Sequence, residues 1–153
     1  MRTGDQESAL RGYVEIADRH GGSSLVPGVL YLLGVLALEM GDYGEAERAL
    51  RGVSPLGGKT VHGAAAFQLG KMLQATGKAE EAYREYLKSR KMAPHGEFSL
   101  LAAFRAAEIA RSAGREGEAE QLYGEVLKGE DEVLAELSRE GLDDIESGGK
   151  SGP

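Results

Sequence analysis

The sequence predicts an all-α chain, an α-α superhelix of antiparallel helix hairpins laid side by side and closed by a C-terminal capping helix. Three observations predict it. Gly4, Gly41, Gly77 and Gly114 recur at intervals of 37, 36 and 37 residues. Each is followed at the fifth position by Ala9, Ala46, Ala82 or Ala119, and at the ninth by Tyr13, Leu50, Tyr86 or Tyr123. Ahead of the last three glycines, at minus eight, minus seven and minus four, stand Leu33, Gly34 and Ala37, then Leu69, Gly70 and Leu73, then Ala106, Ala107 and Ala110. Residues so spaced share one helical face, and self-similarity at this period is the mark of stacked helical units.

The expected helices cover residues 6–19, 26–40, 43–53, 62–76, 79–92, 99–113, 116–128 and 131–141. The first reads as the second helix of a hairpin with no first helix before it. Either the natural chain continues upstream, or its face of Ala9, Tyr13 and Ile16 packs against something else, and a homodimer through this N-terminal half-unit (4–22) is one expectation. The next spans the longest apolar stretch, Leu25 to Met40. Pro27, Gly28, Gly34 and Glu39 interrupt it, and it falls short of the roughly 20 apolar residues of a membrane span, so it reads as a buried helix. Glycine then ends it, because only glycine adopts the left-handed C-cap without a Cβ penalty. Asp42 is placed to N-cap the helix that follows.

The small pairs Gly34 and Ala46, Gly70 and Ala82, Ala107 and Ala119 are expected to let paired backbones approach closely. Leu50, Tyr86 and Tyr123 are expected to fill the space between neighbouring pairs. Turns fall at Ser54–Gly58 and Ala93–Gly96. The helix 131–141, with Val133, Leu134 and Leu137 on one side and acids on the other, reads as the polar-backed cap that stacked repeats need. The whole forms one domain, 1–141, with units at about 27–58, 63–95 and 100–128. Residues 142–153 are expected to be a disordered, acidic, glycine-rich tail.

The net charge is -7, and it is unevenly placed. Residues 129–153 hold eight acids against Arg139 and Lys150, leaving the body near neutrality. That distribution gives no electrostatic footprint for nucleic acid or anionic lipid. There is no cysteine, hence no disulfide framework, thiolate zinc site or cysteine nucleophile. The first residues carry no apolar leader, so the chain as it stands is expected in the cytoplasm, without membrane insertion.

Two loops imitate phosphate-binding motifs and fail on spacing. In Gly52–Thr60 the position five before Gly58 that should open the motif holds Val53, and Gly149-Lys150-Ser151 has Asp144 where the first glycine belongs. His20, His62 and His95 stand singly at turns or helix starts, with no second ligand at helical spacing, and are expected to be exposed. Acid pairs such as Glu80 and Glu81 fit a charged helix surface. No catalytic residue, metal or cofactor is expected, and the chain reads as a non-enzyme.

These residues resemble the tetratricopeptide repeat family, whose pattern runs W-x2-L-G-x2-Y, then A-x3-F, then P. The middle unit matches with Leu69-Gly70, Leu73, Gly77, Ala82, Tyr86 and Pro94; the tryptophan positions hold Leu30, Ala66 and Ala103. The longer period is similar to that of bacterial envelope repeats of the Tol-Pal coordinator type, which would place the chain in the envelope if it were excised from a longer protein. The resemblance implies a scaffold or adaptor that binds a peptide or protein segment in a concave groove lined by first helices. The position three before the helix glycine points into that groove, and here it is Tyr31, Phe67 and Phe104. Along the same face follow Val35, Lys71, Gln74, Glu108 and Arg111, and Lys71, Arg105 and Arg111 are expected to orient the bound segment. The plainer alternative packs Phe67 and Phe104 into the core. Tyr31 and Val35 stand where a carboxylate clamp for chaperone tails would need lysine and asparagine, so that specialisation is not expected.

Overall fold

A computed structural model describes residues 4–148. Among them lie eight α-helices and one short 3-10 turn, with no strand. The helices are α1 (Gly4–Arg19), α2 (Val26–Glu39), α3 (Tyr43–Gly52), α4 (Lys59–Ala75), α5 (Ala79–Met92), α6 (Ser99–Ser112), α7 (Glu116–Val126) and α8 (Glu132–Gly148). Each packs on the next in chain order, and α2 also touches α4, as α6 touches α8. No helix among the described residues is long and apolar enough to cross a membrane.

Three turns repeat one geometry. Gly41, Gly77 and Gly114 sit at φ +73°, +81° and +74°, the left-handed conformation that L side chains rarely adopt. At the first, the Asp42 N–H donates to the Ala37 carbonyl at 2.8 Å and the Gly41 N–H to the Leu38 carbonyl at 3.0 Å. Lys78 to Leu73 and Arg115 to Ala110 repeat the longer-range bond at 2.8 and 2.9 Å. This paired closure satisfies the last carbonyls of one helix and fixes the direction of the next. The Asp42 carboxylate also accepts from the Glu45 N–H at 3.1 Å, as an N-cap should. Gly4 belongs to α1 itself.

Inside each of the first two hairpins a large side chain lies over a glycine. A Cβ on Gly34 would come within 2.5 Å of Leu50 Cγ, and one on Gly70 within 2.8 Å of Tyr86 Cε1. Leu50 and Tyr86 therefore fill the seam of their own hairpin, not the space between hairpins as the sequence suggested. Tyr123 does reach across, since a Cβ on Gly141 of α8 would meet its ring at 2.5 Å. Ala46, Ala82 and Ala119 are fully buried. One apolar cluster runs through the molecule from Ala37 in α2 to Ile145 in α8.

Two expectations are corrected. The C-terminal helix does not stop at 141, and residues 142–148 are helical, because the apolar period continues through Leu142, which packs on the core, and the buried Ile145. The remainder of the expected tail, 149–153, lies outside the described residues. His62 is not an exposed cap residue: it lies inside α4 and is buried, and desolvation, followed by the nearby Lys88, lowers its pKa from 6.5. His20 and His95 are exposed.

Candidate partner-binding face

The two long sides of the helix stack differ in how their charges are used. On the side of the second helices, cross-hairpin pairs close the surface. Arg51 of α3 reaches Glu81 and Glu85 of α5 at 3.5 and 3.8 Å, and Arg90 of α5 pairs with Glu125 of α7. Arg115 binds Glu80 at 2.8 Å and lies 4.3 Å from the centre of the Tyr83 ring, whose hydroxyl donates to Glu118 at 2.7 Å. Each pair is worth little alone, and together they link α3, α5 and α7.

The first-helix side carries the expected site residues. Tyr31 and Val35 are half-buried on α2, with Leu32 exposed beside them, so this end is apolar. Phe67 is 2 % exposed, which removes it as an anchor reaching into a groove. Its ring stacks on Phe98 at 4.5 Å with planes 7° apart and tilts against Tyr86 at 5.7 Å. Phe98 caps the turn into α6 and covers the face that Phe67 would otherwise present, so the core alternative holds for Phe67. Phe104 is half-buried and tilts against Tyr123 at 6.1 Å.

The polar positions divide into those already engaged and those left open. Gln74 accepts a hydrogen bond from the Tyr86 hydroxyl at 2.9 Å. Burial pushes the Tyr86 pKa up to about 12, against the opposing charge of nearby Arg105. Glu108 accepts from the Tyr123 hydroxyl, and burial and this bond together raise the Tyr123 pKa. Arg111 joins Glu108 at 3.4 Å and Asp144 of α8 at 3.0 Å. Glu108 and Arg111 thus tie α6 to α7 and α8, and Arg111 is not the free orienting cation expected of it. Gln74 and Glu108 border an open depression of about 350 Å³ between the two hairpins, with Glu80, Ile109 and Ser112.

Lys71 and Arg105 remain. Lys71 is exposed, hydrogen-bonds Gln68 at 3.3 Å, has no ion pair among the described residues, and stands 6.0 Å from the centre of the Phe67 ring. Arg105 is exposed and forms no ion pair among the described residues. The chain matches no family model and no curated protein. The face runs from the apolar surface of α2, past two cations without acidic partners on α4 and α6, to the ion network that locks α6 onto α8.

Sequence reasoning missed Phe98 and Asp144. The first precedes a helix in a turn, where an aromatic carries no periodic signal. The second lies in a stretch read as tail. The loop alignment could have found Phe98, because it lies two periods beyond Leu25 in the turn before α2.

Proposed function

We propose that the chain is a tetratricopeptide-type repeat, and that it binds an extended or helical segment of another protein along the face of α2, α4 and α6, performing no chemistry of its own. The repeated glycine turns and the seam of large side chain over small residue support the family reading. The observation that carries the binding role is the pairing of exposed apolar and cationic groups: Lys71 and Arg105 have no ion pair among the described residues and stand beside half-exposed Tyr31, Val35 and Phe104, whereas on the second-helix side Arg51, Arg90 and Arg115 pair with acids and Arg84 does not. Apolar surface flanked by unpaired cations suits a segment with aliphatic or aromatic side chains followed by acids.

The test is site-specific photocrosslinking. A photoreactive residue at Val35 or Arg105 should capture a discrete protein from the cells that make this chain. The same residue at Arg84, on the exposed face of α5, should not. Adducts at Arg84 alone would reject this face.

A further inference from the structure

The furrows between successive second helices are closed by side chains in two places and left open in a third. Between α3 and α5, the guanidinium of Arg51, ten residues past Gly41, reaches two acids at 3.5 and 3.8 Å. These are Glu81 and Glu85, four and eight residues past Gly77. Between α5 and α7, the Tyr83 hydroxyl donates at 2.7 Å to Glu118, four residues past Gly114. In both furrows the glutamate at the fourth position thus receives a donor from the preceding second helix.

Between α1 and α3 the glutamate is kept and that donor is not. Glu45 stands four residues past Gly41, but the position ten past Gly4, which matches Arg51, is Val14. Ala49 stands where the next unit has Glu85. Val14, Glu45 and Ala49 meet in the crevice of about 280 Å³ between α1 and the first hairpin. Glu45 Oε2 pairs at 2.6 Å with Arg48 of its own helix, while its Oε1 is buried with no hydrogen-bond partner. Asp18 lines the same crevice and acts on the same arginine, so two carboxylates share one guanidinium there. The other walls are aliphatic, from Ala17, Leu30 and Leu33.

We propose that this crevice binds an organic cation, a guanidinium or ammonium on a short aliphatic stem. Its head group takes the place that Arg51 fills one unit further on, donating to Glu45 Oε1 and offsetting the second carboxylate. Its stem lies on Val14, Ala17 and Leu30. A buried carboxylate oxygen without a donor is costly, and a charged donor relieves it more than a neutral one does. The volume falls just below the roughly 300–1,000 Å³ usual for ligand sites, which limits the occupant to one small molecule or one side chain. The site is built from α1, α2 and α3 on the second-helix side and does not depend on the partner-binding face.

The experiment titrates the full chain with n-butylguanidinium and follows backbone amide chemical shifts. Saturable shifts should centre on Val14, Ala17 and Ala49, and n-butylurea, similar in shape but uncharged, should produce none. Glu45→Gln should weaken binding about tenfold or more. Val14→Arg gives the first furrow the guanidinium that the second already has. It should abolish binding without lowering the melting temperature, which separates a filled site from an unfolded one. An N-acetyl-Gly-Arg-Gly amide, titrated in parallel, distinguishes the sources of the head group. Tighter binding than n-butylguanidinium assigns it to an arginine of another protein, and weaker binding to a free small cation. No saturable binding of either cation, equal binding of n-butylurea, or binding unchanged by both Glu45→Gln and Val14→Arg overturns the proposal.

Discussion

Two helices of one pattern, α5 and α1, meet different fates. In α5 the sequence Ala82, Tyr86 and Ser89 is sealed against α4, with Tyr86 over Gly70 and its hydroxyl on Gln74. In α1 the equivalent Ala9, Tyr13 and Ile16 have no such partner, and a crevice of about 280 Å³ remains between α1 and the first hairpin, bordered by Val14, Ala17, Leu30 and Leu33. Residue type alone therefore does not determine burial. A face spaced for packing becomes core only when the neighbouring helix supplies the opposite surface, which is why stacked repeats draw their stability from interfaces between units.

The contrast can be broken most sharply at the tyrosines. Tyr86→Ala should cost about 3–5 kcal/mol by chemical denaturation, whereas Tyr13→Ala should cost about 1 kcal/mol or less. Equal losses would mean that α1 is as well packed as α5. The glycines come next. Gly70→Ala places a methyl 2.8 Å from the Tyr86 ring and should cost about 1–3 kcal/mol by overpacking. Gly12→Ala meets nothing within 4 Å, so relief of the helical glycine should stabilise by about 0.5–1 kcal/mol.

The buried His62 adds a smaller, pH-dependent term confined to the α4–α5 hairpin. Its folded pKa is depressed, first by burial and then by Lys88, so the unfolded chain takes up the proton first. Stability should be full above pH 6.5, fall as the pH drops from there to the folded pKa, and then level off. His62→Gln should flatten that part of the melting-temperature profile. The smallest effect belongs to the surface. Arg51→Ala removes a half-exposed pair network between α3 and α5 and should change stability by about 0–1 kcal/mol, less at high salt.

Much of the architecture was legible because it is written in periodic, local signals. The frame glycines announced three of the turns, and the leucine-glycine spacing announced the seams. What escaped depends on contacts across the stack. Nothing in the pattern around Phe67 distinguishes an open groove position from a core one until Phe98 closes over it. Arg111 reads as a free cation until α8 brings Asp144 beside it. Helix α8 itself was cut short because its acids obscure the apolar positions Leu142 and Ile145. The family resemblance marked Lys71 and Arg105 as groove candidates, but that they lack acidic partners among the described residues is a property of the packed structure.

Hydrogen exchange followed by mass spectrometry on the free chain tests the central comparison most directly. Backbone amides of α4 to α7 should exchange slowest, near the rate of global opening, while those of α1 should exchange orders of magnitude faster. Protection of α1 equal to that of α5 in the isolated chain would contradict the account, because it would mean that the face of Ala9, Tyr13 and Ile16 is already covered.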